Sequence, residues 1–354
     1  MHRRGDRGKA KGAVSEAGVK SKGARAALWV VLVALPVVFV IGSLALGAYA
    51  IAPDDVVRII VDRVANGDNA EGGMAANMIW NVRLPRILAA ALVGAALSVS
   101  GAMFQGLFRN PLAAPDTLGV SNGAGFGAGL AIILGLSAFG VQIGAIAFGL
   151  LAVGIAFAIG LRSRTSTVTL ILSGMLIGSL FSSLVSLLKF VADPTEKLPQ
   201  IVYWLMGSLS AASYDELARI LPLYLVSLVI IIAYRWRANV LSLGDKEAKS
   251  FGLNVTRDRA VIIAACSVIT AVTVSISGII GWVGIVVPHL ARMLVGPDFR
   301  RLIPASISLG ICYLVVIDDV CRTLTAFEIP IGVITGIVGV PMFLYFIYRR
   351  KVTW

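Results

Sequence analysis

The stretch "ILAAALVGAALSVSGAMFQGL" (Ile87–Leu107) decides the class of this protein, because it runs for twenty-one residues without an ionisable side chain. About 20 helical residues cross the ~30 Å hydrocarbon core of a bilayer, where every backbone N–H and C=O must be satisfied within the segment. The run lacks the alternation that a membrane barrel strand carries, so it reads as a transmembrane helix. Working outward, apolar runs recur near 27–50, 87–107, 117–136, 139–161, 168–191, 217–234, 260–279, 282–295, 303–321 and 331–348. The run near 282–295 is the shortest and is bounded by glycine. The expected fold is therefore an all-α polytopic membrane protein with about ten transmembrane helices.

Composition agrees. Of 354 residues 58% are hydrophobic and 14% charged, with a mean hydropathy of +0.88, values that exclude an ordinary soluble domain. The net charge of +12 is not read as a nucleic-acid signature, because eight basic residues are gathered ahead of the first run, from Arg3 to Arg25. Residues 1–26 are expected to form a disordered basic cytosolic tail, and 27–354 the transmembrane domain. The triplet "AYA" (Ala48–Ala50) fits a signal-peptide cleavage site. Ala26–Ala50 is nonetheless too long for an apolar signal core of about 7–15 residues, and it reads as a retained first span. Cys266, Cys312 and Cys321 fall in apolar runs without metal or redox spacing and read as small buried hydrophobes.

Basic residues set the orientation. Arg109, Arg162 and Arg164, Arg235 and Arg237, Arg292 with Arg300 and Arg301, and Arg349 to Lys351 all follow even-numbered runs, which places both termini in the cytosol. Ile51 to Val82 and Asp193 to Glu216 then lie outside. "LSLGDKEAKSFGLN" (Leu241–Asn254) becomes a polar island on the cytosolic face. Ser242 followed by Asp245 makes a capping-box pattern, and Gly252 is placed as a stop. The pair predicts a short surface helix of about two turns, either a solvated loop or a docking element for a partner.

Four further stretches carry ionisable or conformationally special residues. In "WNVRLPR" (Trp80–Arg86), Arg83 and Arg86 stand at the outer end of the second span, as Arg322 does at the outer end of the ninth. They read as interface anchors or as a basic rim for external carboxylates. Gly94, Ser98, Ala102 and Gly106 on the second span, with Gly119, Gly123 and Gly127 on the third, form two small-residue stripes, so these spans are expected to pack backbone to backbone. Pro111 and Pro115 interrupt helix between them, a break that membrane proteins tolerate in a buried site or a pathway. His289, in "GIIGWVGIVVPHLAR" (Gly278–Arg292), reads as structural; with His2 the only other histidine, no histidine relay is available. Asp318 and Asp319 precede Arg322 by four and three residues, the spacing for pairing on one helix face. Ionisable groups at such depth are functional suspects, and local neutralisation is the alternative. No phosphate-binding G-x-x-x-x-G-K-[ST] loop occurs, so any ATP-driven work must use a partner's engine.

"VRLPRILAAALVGAALSVSGAMFQGLFRNPLAAPDTLGVSNGAG" (Val82–Gly125), "VYWLMGSLS" (Val202–Ser210), the island, "GWVGIVVPHLAR" (Gly281–Arg292) and "EIPIGVITGIVGVPMF" (Glu328–Phe343) occur in this order. With these blocks the chain resembles the FecCD-type permeases, the membrane subunits of ABC importers for iron chelates, haem and cobalamin. The resemblance runs from about Ile79 to the C-terminus. It implies a multi-pass permease of the cytoplasmic membrane. Its implied partners are a second copy of itself in a homodimer, two copies of a cytosolic ABC ATPase, an extracytoplasmic substrate-binding protein and membrane lipid, without nucleic acid. The resemblance assigns a coupling helix near 243–252, with Gly244, Asp245, Glu247, Ala248, Phe251 and Gly252 seating in the ATPase. Arg83, Arg86 and Arg322 match arginines that meet acids of the binding protein, and Asn110, Leu112, Ser166 and Thr167 match positions that narrow the pathway at its cytosolic side. No cofactor or metal is expected on this chain, and ATP and magnesium would sit on the partner ATPase. An iron siderophore or haem is the expected cargo, with cobalamin or molybdate as alternatives. A secondary transporter using Asp318, Asp319 or Glu328 as proton carrier is the reading from a different class.

Overall fold

The computed structural model describes residues 22–47, 49, 51–67, 73–162, 167–325 and 327–349, and every regular element among them is helical. Residues 1–21 of the basic tail, and the gate candidate Ser166, lie outside the described residues. In chain order the helices are α1 (Lys22–Ala45), α2 (Pro53–Asn66), α3 (Met74–Phe108), α4 (Val120–Ile133), α5 (Ala138–Arg162), α6 (Thr167–Val191) and α7 (Lys197–Met206). They continue with α8 (Tyr214–Leu243), α9 (Asp245–Ser250), α10 (Val255–Ser277), α11 (Val283–Val295), α12 (Phe299–Thr323) and α13 (Ile331–Arg349).

Seven of these, α1, α3, α5, α6, α8, α10 and α12, are long and apolar enough to cross a bilayer. The apolar helices α4, α11 and α13 are shorter, and with them each expected span has a helix. At about 1.5 Å per residue, α4 and α11 reach only about 20 Å of a ~30 Å core. Irregular backbone completes both. A 3-10 turn over Pro115–Leu118 leads into α4, and the stretch from Gly278 leads into α11. Pro115, Leu118 and Gly278 are buried in protein, which is where a bilayer tolerates non-helical backbone.

α3 forms the centre. It begins well before its apolar run and contains a π-helical stretch over Met78–Arg83 just ahead of Pro85. Proline has no N–H and its ring crowds the carbonyl four residues earlier, so one wider turn accommodates it without ending the helix. The outer segments are helical as well. α2 starts with Pro53 and carries Asp54 and Asp55 in its first turn, both favourable at a helix N-terminus.

The two small-residue stripes do pack closely, but not on each other as expected. A Cβ on Gly94 would collide with the Gly310 carbonyl of α12 and one on Gly106 with the Phe299 ring at the start of α12; beside the stripe, one on Gly101 would lie 2.7 Å from the Gly284 Cα of α11. Gly123 and Gly127 of α4 instead meet Phe148 and Gly144 of α5. The correction has a local cause: Arg109 closes α3 in the left-handed conformation (φ 50°), and the proline-bearing turn carries α4 off to another neighbour. Small-residue periodicity specifies a face that admits close approach; it does not specify whose.

Three helix breaks meet at the end of α10 remote from α9. The Ser208 N–H donates to the Ser277 carbonyl (2.8 Å) and the Ile331 N–H to the Gly207 carbonyl (2.9 Å). Gly207 and Gly278 both have positive φ, and a Cβ on Gly278 would lie 2.9 Å from the Gly207 Cα. The backbone groups freed by ending α7 and α10 and by starting α13 thus satisfy one another.

Candidate functional site

The island folds as the short helix α9, but its start differs from the expected capping box. α8 continues past its apolar run to Leu243, so Ser242 is still inside it and its hydroxyl donates to the Asn239 carbonyl (2.7 Å). Gly244, at φ 135°, is the N-cap of α9, and no side chain caps it. A Cβ there would fall against the Glu247 carboxylate and 3.5 Å from Arg109 Nη1. The predicted stop at Gly252 is present. With φ 78° it donates to the Lys249 carbonyl (2.9 Å), while Leu253 N–H donates to the Ala248 carbonyl (3.1 Å). That pair of bonds is a Schellman closure, and Leu253 packs with the cluster that contains buried Ala248.

α9 therefore has an inside and an outside. Ala248 is fully buried, whereas Glu247 is exposed and Phe251 stands 61% exposed. Asp245, expected to act in the cap, instead accepts a bond from Arg259 Nη2 (2.8 Å), whose side chain is only 2% exposed near the start of α10. Arg237 of α8 pairs with the buried Asp258 of α10 in the same region. Asn239 bridges α8 to α12, donating to Asp298 Oδ1 (2.7 Å) and accepting from Phe299 N–H (2.9 Å). The bond Asp298 accepts from Arg300 N–H, together with that from Asn239, holds its carboxyl below the usual carboxylate range. Charged side chains thus join α9 to α10 and α8 to both α10 and α12, and none of these links was anticipated from the sequence.

The pathway candidates lie at the same end. Asn110 Oδ1 accepts from Leu112 N–H (2.9 Å) in the turn after α3, leaving the Leu112 side chain exposed. Thr167 opens α6 and is half-buried.

At the end of α3 remote from α9, Arg83, Arg86 and Arg322 come together, and all three are buried. Arg86 grips Asp318 with Nε (3.0 Å to each carboxylate oxygen) and Nη2 (2.9 Å), and reaches Glu328 with Nη1 (2.6 Å). Arg322 pairs with Asp319 one turn earlier, donates to the Ser43 carbonyl (2.6 Å), and lies 3.8 Å from Asp318. Ser43 Oγ donates to Asp319 (2.6 Å), so the end of α1 joins the cluster. Arg83 turns instead to the Leu44 and Tyr49 carbonyls, capping α1 where a cation complements a helix C-terminus. The i,i+3 pairing expected between Asp319 and Arg322 is present. The tighter partner of Asp318 is Arg86, from a helix more than two hundred residues away in sequence, and no local spacing points to it. In this state the arginines are turned toward their own chain. Glu328, with 40% of its side chain exposed, is the member of this cluster nearest to solvent.

His289 is buried between Phe343 and Phe346 of α13, as a structural reading expects. Among the described residues no group of three or more His, Cys, Asp or Glu side chains could hold a metal ion.

Residues 34–349 match the FecCD transport family. The molybdate import system permease protein MolB of Haemophilus influenzae is 39% identical over 90% of this chain and 95% of its own length. The cobalamin import system permease protein BtuC of Halobacterium salinarum is 41% identical over 78% of this chain and 74% of its own. The hemin transport system permease protein HmuU of Yersinia pestis is 37% identical over 77% and 84%. A solved structure, described as an inward-facing conformation of a metal-chelate type ABC transporter, superposes with a TM-score of 0.81 and 39% identity, covering 90% of this chain and 98% of that one.

Proposed function

The chain belongs to the FecCD transport family, and on that premise we propose that it is the permease subunit of an ATP-driven importer carrying a metal chelate, an iron siderophore or haem, across the cytoplasmic membrane. It works as one half of a homodimer, with a pathway between the two copies. Two ABC ATPase subunits supply force from the cytosol, with ATP and magnesium bound on them, and a substrate-binding protein delivers cargo outside. No cofactor sits on this chain. Metal that arrives inside its own chelate needs no protein ligands on the way.

The observation that carries this reading is α9: a short helix with Ala248 buried, Glu247 and Phe251 exposed, and Asp245 tied to buried Arg259. An exposed phenyl ring beside a carboxylate suits a cleft in a soluble partner, and the ion pair makes the helix a rigid lever on α10. Gly244 and Gly252 allow the tight entry and exit that keep it compact. At the inner mouth Asn110 and Leu112, with Thr167, narrow the pathway. At the outer mouth the Arg83, Arg86 and Arg322 cluster receives acids of the binding protein.

Glu247→Arg combined with Phe251→Ala tests the lever. ATPase association and ATP-dependent uptake should fall by at least tenfold in proteoliposomes while the permease still inserts. Normal uptake in that variant, or accumulation by vesicles that lack any ATPase, would discard the reading. Molybdate is a second cargo, favoured by the extent of the match to the molybdate permease. Competition between ferric chelate, haem and molybdate for the binding protein distinguishes them.

A further inference from the structure

We infer that Glu328 is an internal stand-in for the binding protein: its carboxylate occupies the outward edge of Arg86 until an acidic side chain of the docking protein displaces it. The inference rests on the docking reading above and adds to it a competitor within the chain.

Charge balance is the first argument. Among the described residues, Arg83, Arg86 and Arg322 bring three guanidinium groups to a cluster whose buried carboxylates are Asp318 and Asp319. Within that described set one positive charge is left without a buried counter-ion. Glu328 supplies it, through Arg86 Nη1 at 2.6 Å. A cluster from which Glu328 withdraws therefore presents one net positive charge to the outside, and an incoming carboxylate restores neutrality.

The second argument is which contacts can be exchanged. Arg83 is held by backbone carbonyls of Leu44 and Tyr49, and Arg322 by Asp319 and the Ser43 carbonyl; releasing either requires opening the end of α1. Arg86 keeps Nε and Nη2 on Asp318, whose side chain is 1% exposed. Only its Nη1 meets a group that solvent reaches. Exchange at that one nitrogen leaves the fold and the Arg86–Asp318 grip intact.

The third is what surrounds Glu328. It sits in the connection between α12 and α13, anchored behind by the Ile329 N–H donating to the Cys321 carbonyl (3.2 Å). Its neighbour Phe327 is 88% exposed, and Leu324 stands out on the same connection. An apolar knob beside an exchangeable ion pair provides contact area and a charge to read in one place.

The test uses the permease with its ATPase in phospholipid nanodiscs and, as probe, the chelate-loaded substrate-binding protein paired with this importer. Glu328→Gln keeps shape and removes the competing charge. The half-exposed ion pair it deletes corresponds to roughly two- to fivefold tighter binding of the probe, with a steeper loss on adding salt. In an Arg86→Lys background, which retains the charge against Asp318 but loses the bidentate fork, the gain should vanish. Equal or weaker binding by Glu328→Gln, or a gain that survives in Arg86→Lys, overturns the stand-in. If Arg86→Lys weakens docking while Glu328→Gln changes nothing, only the competitor falls; if neither variant alters affinity, the docking reading falls with it. Thermal unfolding of each variant confirms an intact fold.

Discussion

Removing the Arg86 guanidinium, as in Arg86→Met, leaves the buried Asp318 with its main partner gone. The side chain is 1% exposed, and the nearest remaining cation is Arg322 Nε at 3.8 Å. Unit charges about 4 Å apart attract by about 4 kcal/mol at an effective dielectric constant of about 20. Measured losses on breaking buried pairs fall at about 3–5 kcal/mol, because the orphaned charge stays desolvated. The single variant should therefore lose about 3–5 kcal/mol of stability. Adding Asp318→Leu removes the orphan, so the double variant should recover most of that loss. The assay is a double-mutant cycle on unfolding of the detergent-solubilised protein, read by the monodisperse fraction after heating. A loss below about 1 kcal/mol for Arg86→Met, in the range of surface pairs, would refute the view that this cluster is a desolvated structural joint. So would a double variant no more stable than the single one.

Helix packing gives a second prediction. Gly101→Ala drives a methyl into the Gly284 backbone and should cost several kcal/mol or block folding, whereas Gly154→Ala, with open space around its Cα, should be neutral or slightly stabilising; expression and thermal stability compare the two. The third concerns Asp298, the N-cap of α12. Asp298→Ala should cost about 0.5–2 kcal/mol at neutral pH and Asp298→Asn much less, since an amide oxygen can still cap. Because the folded carboxyl titrates below its ordinary value, its contribution is present above the unfolded pKa of about 3.9 and fades as pH falls through the lower folded one. The difference between wild type and Asp298→Ala in denaturant midpoints should be flat above about pH 5 and shrink in acid.

Much of the outer architecture was legible because a bilayer leaves the backbone few choices. Each apolar run became a helix, and even the short run near 282–295 appears as α11. Chain reach and hydrogen-bond closure are local quantities, and the sequence carries them. The stop at Gly252 was readable for the same reason: a left-handed residue is needed there and glycine supplies it. The capping box failed because helix length is not local in this sense. α8 had more packing to continue on than its hydropathy indicated, and it absorbed Ser242.

By itself the sequence determined that this is a many-helix membrane protein and that one compact polar island interrupts its apolar runs. Each of these follows from the free energy of single residues moving between water and hydrocarbon. The tertiary structure alone decided the partners: Gly101 against Gly284, Asp245 with Arg259, Asp318 with Arg86, and Glu328 as the solvent-side arm of that pair. Side-chain pairing between distant helices depends on which faces meet after packing. A stripe of glycines or a lone arginine carries no label for the surface it will touch.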